Sequence, residues 1–191
     1  MREKTIKLYK FDELSDEAKR EAMDWYREIN LDYEWYDNIY DYAKQCGEII
    51  GIDIDKIHFS GFSFQGDGAC FTGSYSYAKK SVKAIMKYAP QDKELHTIAL
   101  ELQREQRKHF YNLSARMDHR GFYYHSGCMM TDVYKDGLDY DNDTIVEQLR
   151  YFADWIYSRL EEEYDFLNSD EQIAENIRDN EYEFLEDGTR A

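Results

Sequence analysis

Hydrophobic positions recur at helical spacing near both ends of the chain and at strand spacing in the middle. Lys4 to Phe11 alternates, Ile6 and Leu8 against Lys7 and Tyr9, which predicts a short strand. Ser15 then precedes an acidic first turn, Asp16-Glu17, and Leu14, Ala18, Ala22, Trp25, Tyr26 and Ile29 fall on one face. That is the pattern of a capped amphipathic helix. Asp32 predicts the cap of a second helix, with Trp35, Tyr36, Ile39, Tyr40, Ala43 and Cys46 inward, ending near Gly47 or Gly51.

Beyond Gly51 the period falls towards two. Lys56 to Gln65 and Ala69 to Tyr77 predict a hairpin around Gly66-Asp67-Gly68, glycine at both flanks admitting positive φ. Gly61 and Gly73 sit within those expected strands, where glycine marks a bulge or a close backbone approach. A helix over Lys79 to Tyr88 is stopped by Pro90, and a longer one runs from about Gln91 to His109. A second hairpin is predicted from Phe110 to His119 and from Phe122 to Tyr134, turning at Arg120-Gly121. Asp139 to Asp143 reads as a polar loop. Helical spacing resumes at Ile145, Leu149, Phe152, Ile156 and Leu160, and Ser169-x-x-Gln172 forms a capping box for a last helix. The aromatic segment Asn180 to Gly188 is expected to dock. The fold class is therefore α+β, an antiparallel sheet built from two central hairpins and packed by N- and C-terminal helices. We expect one domain over 1–191: helical 12–50, strand-rich 51–134 with inserted helices, and helical 144–184.

Composition narrows the function. Apolar residues make up 42% and aromatics 16% of 191 residues, enough for a proper core. The first residues, Met1 to Lys4, lead into no apolar run, and no stretch is long and apolar enough for a membrane span, so a cytoplasmic protein without membrane contact is expected. Three cysteines without metal spacing fit thiols in a reducing compartment. The net charge is −16, unevenly spread: Lys79 to Arg120 holds ten Lys/Arg against five acids, leaving −21 elsewhere. Such a chain is a poor general nucleic-acid binder, because phosphates need a broad cationic face. Its acidic surface suits a basic protein partner instead, and its basic middle one small anion.

Motifs for catalysis are thin. Asp139-Tyr140-Asp141-Asn142-Asp143 begins like a calcium loop, but Thr144 stands where the turn needs Gly and Arg150 where the bidentate Glu belongs. The five histidines join no zinc pattern, Gly66-x-Gly68 is neither a P-loop nor a dinucleotide motif, and no base–nucleophile pair stands out. No metal and no cofactor are expected, and enzymatic activity is the less favoured reading. The two hairpins carry the candidate ligand-binding residues: Ser60, Phe62, Gln65, Gly66 and Asp67 on the first, Arg116, Arg120, Tyr123, Tyr124 and His125 on the second. Rings supply stacking faces, and Arg and His supply donors for an anionic group. Side by side, they would hold a ligand the size of a small anionic nucleotide.

The segments Phe11-Asp12-Glu13-Leu14-Ser15-Asp16-Glu17-Ala18-Lys19, Ser60-Gly61-Phe62-x-x-Gln65-Gly66-Asp67-Gly68-Ala69-Cys70-Phe71-x-Gly73, Tyr123-Tyr124-His125 and Asn180-x-Tyr182-x-Phe184-x-Glu186-Asp187-Gly188 carry a resemblance that runs from end to end. The chain resembles a family of small acidic proteins encoded by bacteriophages and prophages, some of them labelled antitoxins of toxin–antitoxin stability systems. The resemblance implies a phage accessory protein acting in the host cytoplasm and supplies no catalytic residues. The expected function is binding: a counter-defence factor that neutralises a host protein with a basic surface. The alternatives are a protein that sequesters a nucleotide signal, and an antitoxin-like binder of a toxin. Abundant Tyr and Trp leave room for a homo-oligomer.

Overall fold

A computed structural model describes residues 5–191, so Lys4, where the first strand was expected to begin, lies outside them, as do Met1 to Glu3. In chain order the elements are β1 (Tyr9–Lys10), α1 (Asp16–Ile29), α2 (Asp37–Ile50), β2 (Ile52–Phe59), β3 (Ala69–Ser76), α3 (Ser81–Tyr88), α4 (Lys93–Lys108), β4 (Leu113–His119), β5 (Met129–Lys135), β6 (Leu138–Asp139), α5 (Asp143–Leu167), α6 (Asp170–Asp179) and β7 (Glu183–Phe184). The fold is α+β. It forms two compact units, the first from both chain ends (up to Tyr36 and from Glu162) and the second from Asp37 to Glu161.

In the first unit Ser15 caps α1 as expected, its hydroxyl accepting from Ala18 N–H. Ala18 and Ala22 face Ile173 and Ile177 of α6 in a core closed by Phe11, Leu14 and Phe184, whereas Ile29 at the end of the expected face is exposed. Ser169 caps α6 through Gln172 N–H, but the Gln172 amide turns to Asn176 instead of completing the box. The tail docks: β7 pairs antiparallel with β1, and buried Phe184 meets Trp25 edge-on with centroids 5.9 Å apart. Asp32 caps nothing. The chain leaves α1 through turns and α2 begins only at Asp37, because Trp35 and Tyr36 pack in the first unit, Trp35 against Tyr164.

The second unit is built on an antiparallel sheet in the order β2-β3-β4-β5-β6, with α3 and α4 inserted between the two hairpins. Alternation buries Ile52, Ile54, Ile57, Phe71, Tyr75, Leu113, Ala115, Met117 and Val133 on one face. Helices supply the other half of this core: Phe152 of α5 meets Phe71 at 5.6 Å, and Gln106 of α4 bonds both ways to Leu113. Register shifts between Ile54 and Lys56, a bulge facing Gly73, where a Cβ would stand 2.0 Å from Asp53 O. This is the close approach that the glycine implied. Asp92 caps α4 through Leu95 N–H and takes the buried Trp155 indole N–H on its second oxygen at 2.7 Å.

Both hairpins differ from expectation at their tips. β2 ends at Phe59, so residues 60–68 form a broad loop instead of two strands about a tight turn, and 120–128 form a second one. Glycine, serine and aspartate at 60–68 bond locally and take the backbone out of the ladder. A tight turn does occur one hairpin later, at Asp136-Gly137 between β5 and β6, both with φ positive.

Candidate functional site

The two loops meet at one end of the sheet. Ser60 N–H donates to Gly68 O and closes the first, and Arg120 N–H donates to Cys128 O and closes the second. Inside the first, the Asp67 carboxylate accepts from Phe64 N–H at 2.8 Å and Ser63 N–H at 2.9 Å. Those bonds, Phe64's first, hold its pKa below the ordinary carboxylate value. Ser60 Oγ, shut off from solvent, helps lower it without making a hydrogen bond of good geometry. Asp67 thus organises the loop it was expected to lend to a ligand. Phe62 is likewise occupied, stacked between Phe59 and Tyr157 at centroid distances of 5.8 and 5.3 Å. The Tyr157 hydroxyl donates to Gly61 O.

Glycines let the second loop close on the first. A Cβ on Gly68 would stand 2.6 Å from His125 Cβ, and one on Gly66 would stand 3.3 Å from the Tyr123 ring. The loops therefore sit side by side, as the candidate residues required. Tyr124 stacks on His58 of β2 at 5.0 Å and 12°, with His119 5.1 Å away and donating to Tyr123 O. Since a carbonyl only accepts, His119 Nε2 carries the proton in that bond. Burial first, then Lys56 and His119, press the His58 pKa below its ordinary value, which favours the neutral imidazole in the stack.

Of the expected site residues, Gln65, Arg120 and Tyr123 are exposed on the two loops, and Tyr124 and His125 are half-buried where the loops meet. Phe64 and Phe122 at the loop tips are largely bare, 81% and 98% exposed. Arg116 is not part of this group. It lies on the open sheet face, where its guanidinium meets Asp55 at 2.9 Å. The structure also brings together a pair that the sequence did not flag: Cys128 Sγ lies 3.5 Å from His125 Nε2 across a 3-10 turn. His125-x-x-Cys128 was its only linear signal. Among the described residues no three His, Cys, Asp or Glu converge to hold a metal ion, and no helix is long and apolar enough to cross a membrane.

Acid lines one cleft in each unit, whereas two clefts of about 540 Å³ in the second unit also carry Lys44, or Lys93 and Arg159. A cleft of about 770 Å³ in the first is walled by Glu17, Glu21, Glu186 and Asp187, with no Lys or Arg in its lining. In the second, a cleft of about 460 Å³ carries Asp132, Asp139, Asp141 and Asp143.

A family match covers residues 35–170 and so takes in the whole second unit, with both loops and the acidic cleft beside β5. The chain belongs to the DUF8835 family, described as a domain of unknown function. No curated protein and no solved structure matches this DUF8835 chain.

Proposed function

We propose that this protein works by binding a cationic protein partner on its acidic surface, as a phage accessory factor that neutralises a host component. The observation that carries the reading is one cleft in each unit lined by carboxylates without Lys or Arg, on a chain of net charge −16. Opposite charge steers a basic face in and sets its register, and the same face repels nucleic acid. The phage and counter-defence part rests on the end-to-end resemblance of the quoted motifs. The test is capture from a bacterial lysate, followed by titration of the purified captured protein at rising salt. Affinity that falls steeply with salt supports the reading; affinity indifferent to salt removes it, because exposed charges are screened within about 3 Å at 1 M.

One observation favours a second reading, sequestration of a small anionic nucleotide. The loops 60–68 and 120–128 do meet, with Arg120, Tyr123 and Gln65 exposed on them. Tyr124→Ala and Gln65→Ala would then abolish a small bound mass seen by native mass spectrometry, and retention of that mass in both variants would discard the idea.

A further inference from the structure

The outer edge of β5 is open at Thr131, between Met129, whose N–H donates to Ser126 O, and Val133, whose O accepts from Tyr140 N–H. β6 covers only Tyr134 and Lys135, and among the described residues no strand lies beside Met129 to Asp132. Which backbone groups point outwards follows from one bond. Tyr140 N–H donates to Val133 O, so the polar groups of Val133 face away from β4. Hydrogen-bonding direction alternates along a strand, so Thr131 N–H and C=O also face outwards. The Thr131 side chain itself lies on the core face opposite buried Met117, its Oγ1 shut off from solvent with no hydrogen-bond partner. A strand edge left this way is a template for another chain.

What lies beside the edge selects the occupant. Thr131, Asp132 and Val133 form one wall of a cleft whose rim carries Asp139, Asp141 and Asp143. A second cleft, also about 460 Å³, shares Asp143 and Val146 with it and continues along α5 past Glu147 and Asp154 to Ser126 and Gly127. Arg150 is the only Lys or Arg in either lining. A groove with strand donors and acceptors on one side and carboxylates along its length suits an extended chain bearing Lys or Arg.

We infer that an extended cationic segment of the partner protein adds to the sheet as a strand along β5, its backbone bonded to Thr131 and its cations set among Asp139, Asp141, Asp143 and Glu147. The inference rests on the reading that the protein binds a basic partner, and gives that partner's chemistry at the site. Main-chain bonds give such an addition its affinity, and the charges give it specificity.

A blocked octapeptide of alternating Lys and Val serves as the probe, with a second version N-methylated at alternate peptide bonds to keep the charge and remove donors. Hydrogen exchange resolved at single amides is read with and without peptide. Strand addition slows exchange at Thr131 roughly tenfold or more, and the N-methylated probe binds about tenfold more weakly. Asp141→Lys with Glu147→Lys, both at exposed positions, weakens the octapeptide about tenfold, whereas Glu21→Lys with Glu186→Lys, the same change of charge in the other cleft, does not. Binding with Thr131 unprotected and equal loss in both double variants would overturn the strand and leave the acidic reading standing. No binding of either peptide even at low salt would overturn both.

Discussion

Gly68→Ala tests the contact on which the loop junction depends. The added methyl would stand 2.6 Å from His125 Cβ and 2.8 Å from His125 Cα. The second of these is backbone, so no side-chain rotation relieves it. Either the 120–128 loop moves off or the β2–β3 connection bends, and overpacking of this kind costs about 1–3 kcal/mol. With a urea slope of about 2 kcal/mol per molar, a loss of 2 kcal/mol lowers the midpoint by about 1 M. Gly61→Ala is the control: its Cβ would meet nothing nearer than an Asp67 carboxylate oxygen at 3.5 Å, an ordinary contact. Urea unfolding followed by far-ultraviolet circular dichroism reads both variants. A clear drop is expected for Gly68→Ala and a midpoint within about 0.3 M of wild type for Gly61→Ala. Equal midpoints for the two variants would refute the docking of the loops.

Asp92→Ala removes the α4 cap and strands the indole N–H of fully buried Trp155, so it should cost about 2–4 kcal/mol in the same assay; Asp92→Asn, which keeps an acceptor, should cost less. Burial pushes the Cys70 thiol up to about 12 and Cys46 up to about 11, leaving neither ionised near pH 8, while Cys128 is half-exposed. Iodoacetamide should therefore label native protein at Cys128 alone, and all three cysteines after denaturation, as peptide mass spectrometry would read directly. His58 is held below its ordinary value of 6.5, so the folded state resists its protonation more than the unfolded state does. Its contribution is present above about pH 6.5 and is lost as pH falls through the lower folded value. His58→Phe, which keeps a ring against Tyr124, should lose less stability than wild type between about pH 7.5 and about pH 5, and an identical loss would count against the stack.

Much of the fold was legible because its signals are local. Ser15 before Asp16-Glu17, Pro90 between two apolar periods, and Gly73 in a strand each act on their own neighbourhood, and each does what its chemistry implies. The errors arose where particular side-chain contacts decide. Trp35 and Tyr36 fit a helical face, yet packing against Tyr164 keeps Trp35 out of α2. Gly66-Asp67-Gly68 reads as a tight turn until the Asp67 carboxylate gathers Ser63 and Phe64 N–H into a wider loop. At the candidate site the residue types were legible and their duties were not. Asp67 and Phe62 hold the loop, Arg116 pairs with Asp55, and the His125–Cys128 approach depends on a 3-10 turn whose only linear sign is the spacing of that pair. The free edge of β5 was hidden as well, because it depends on where β6 stops.

The central claim is that this acidic surface recognises a cationic protein. It is tested most directly by the affinity for the purified partner measured calorimetrically between about 0.05 and 0.5 M NaCl, over which the screening length shrinks from above 10 Å to below 8 Å. The account predicts an affinity that falls at least about tenfold across that range and is weakest in the Asp141→Lys, Glu147→Lys variant. A flat salt dependence, with wild type and variant alike, would contradict it.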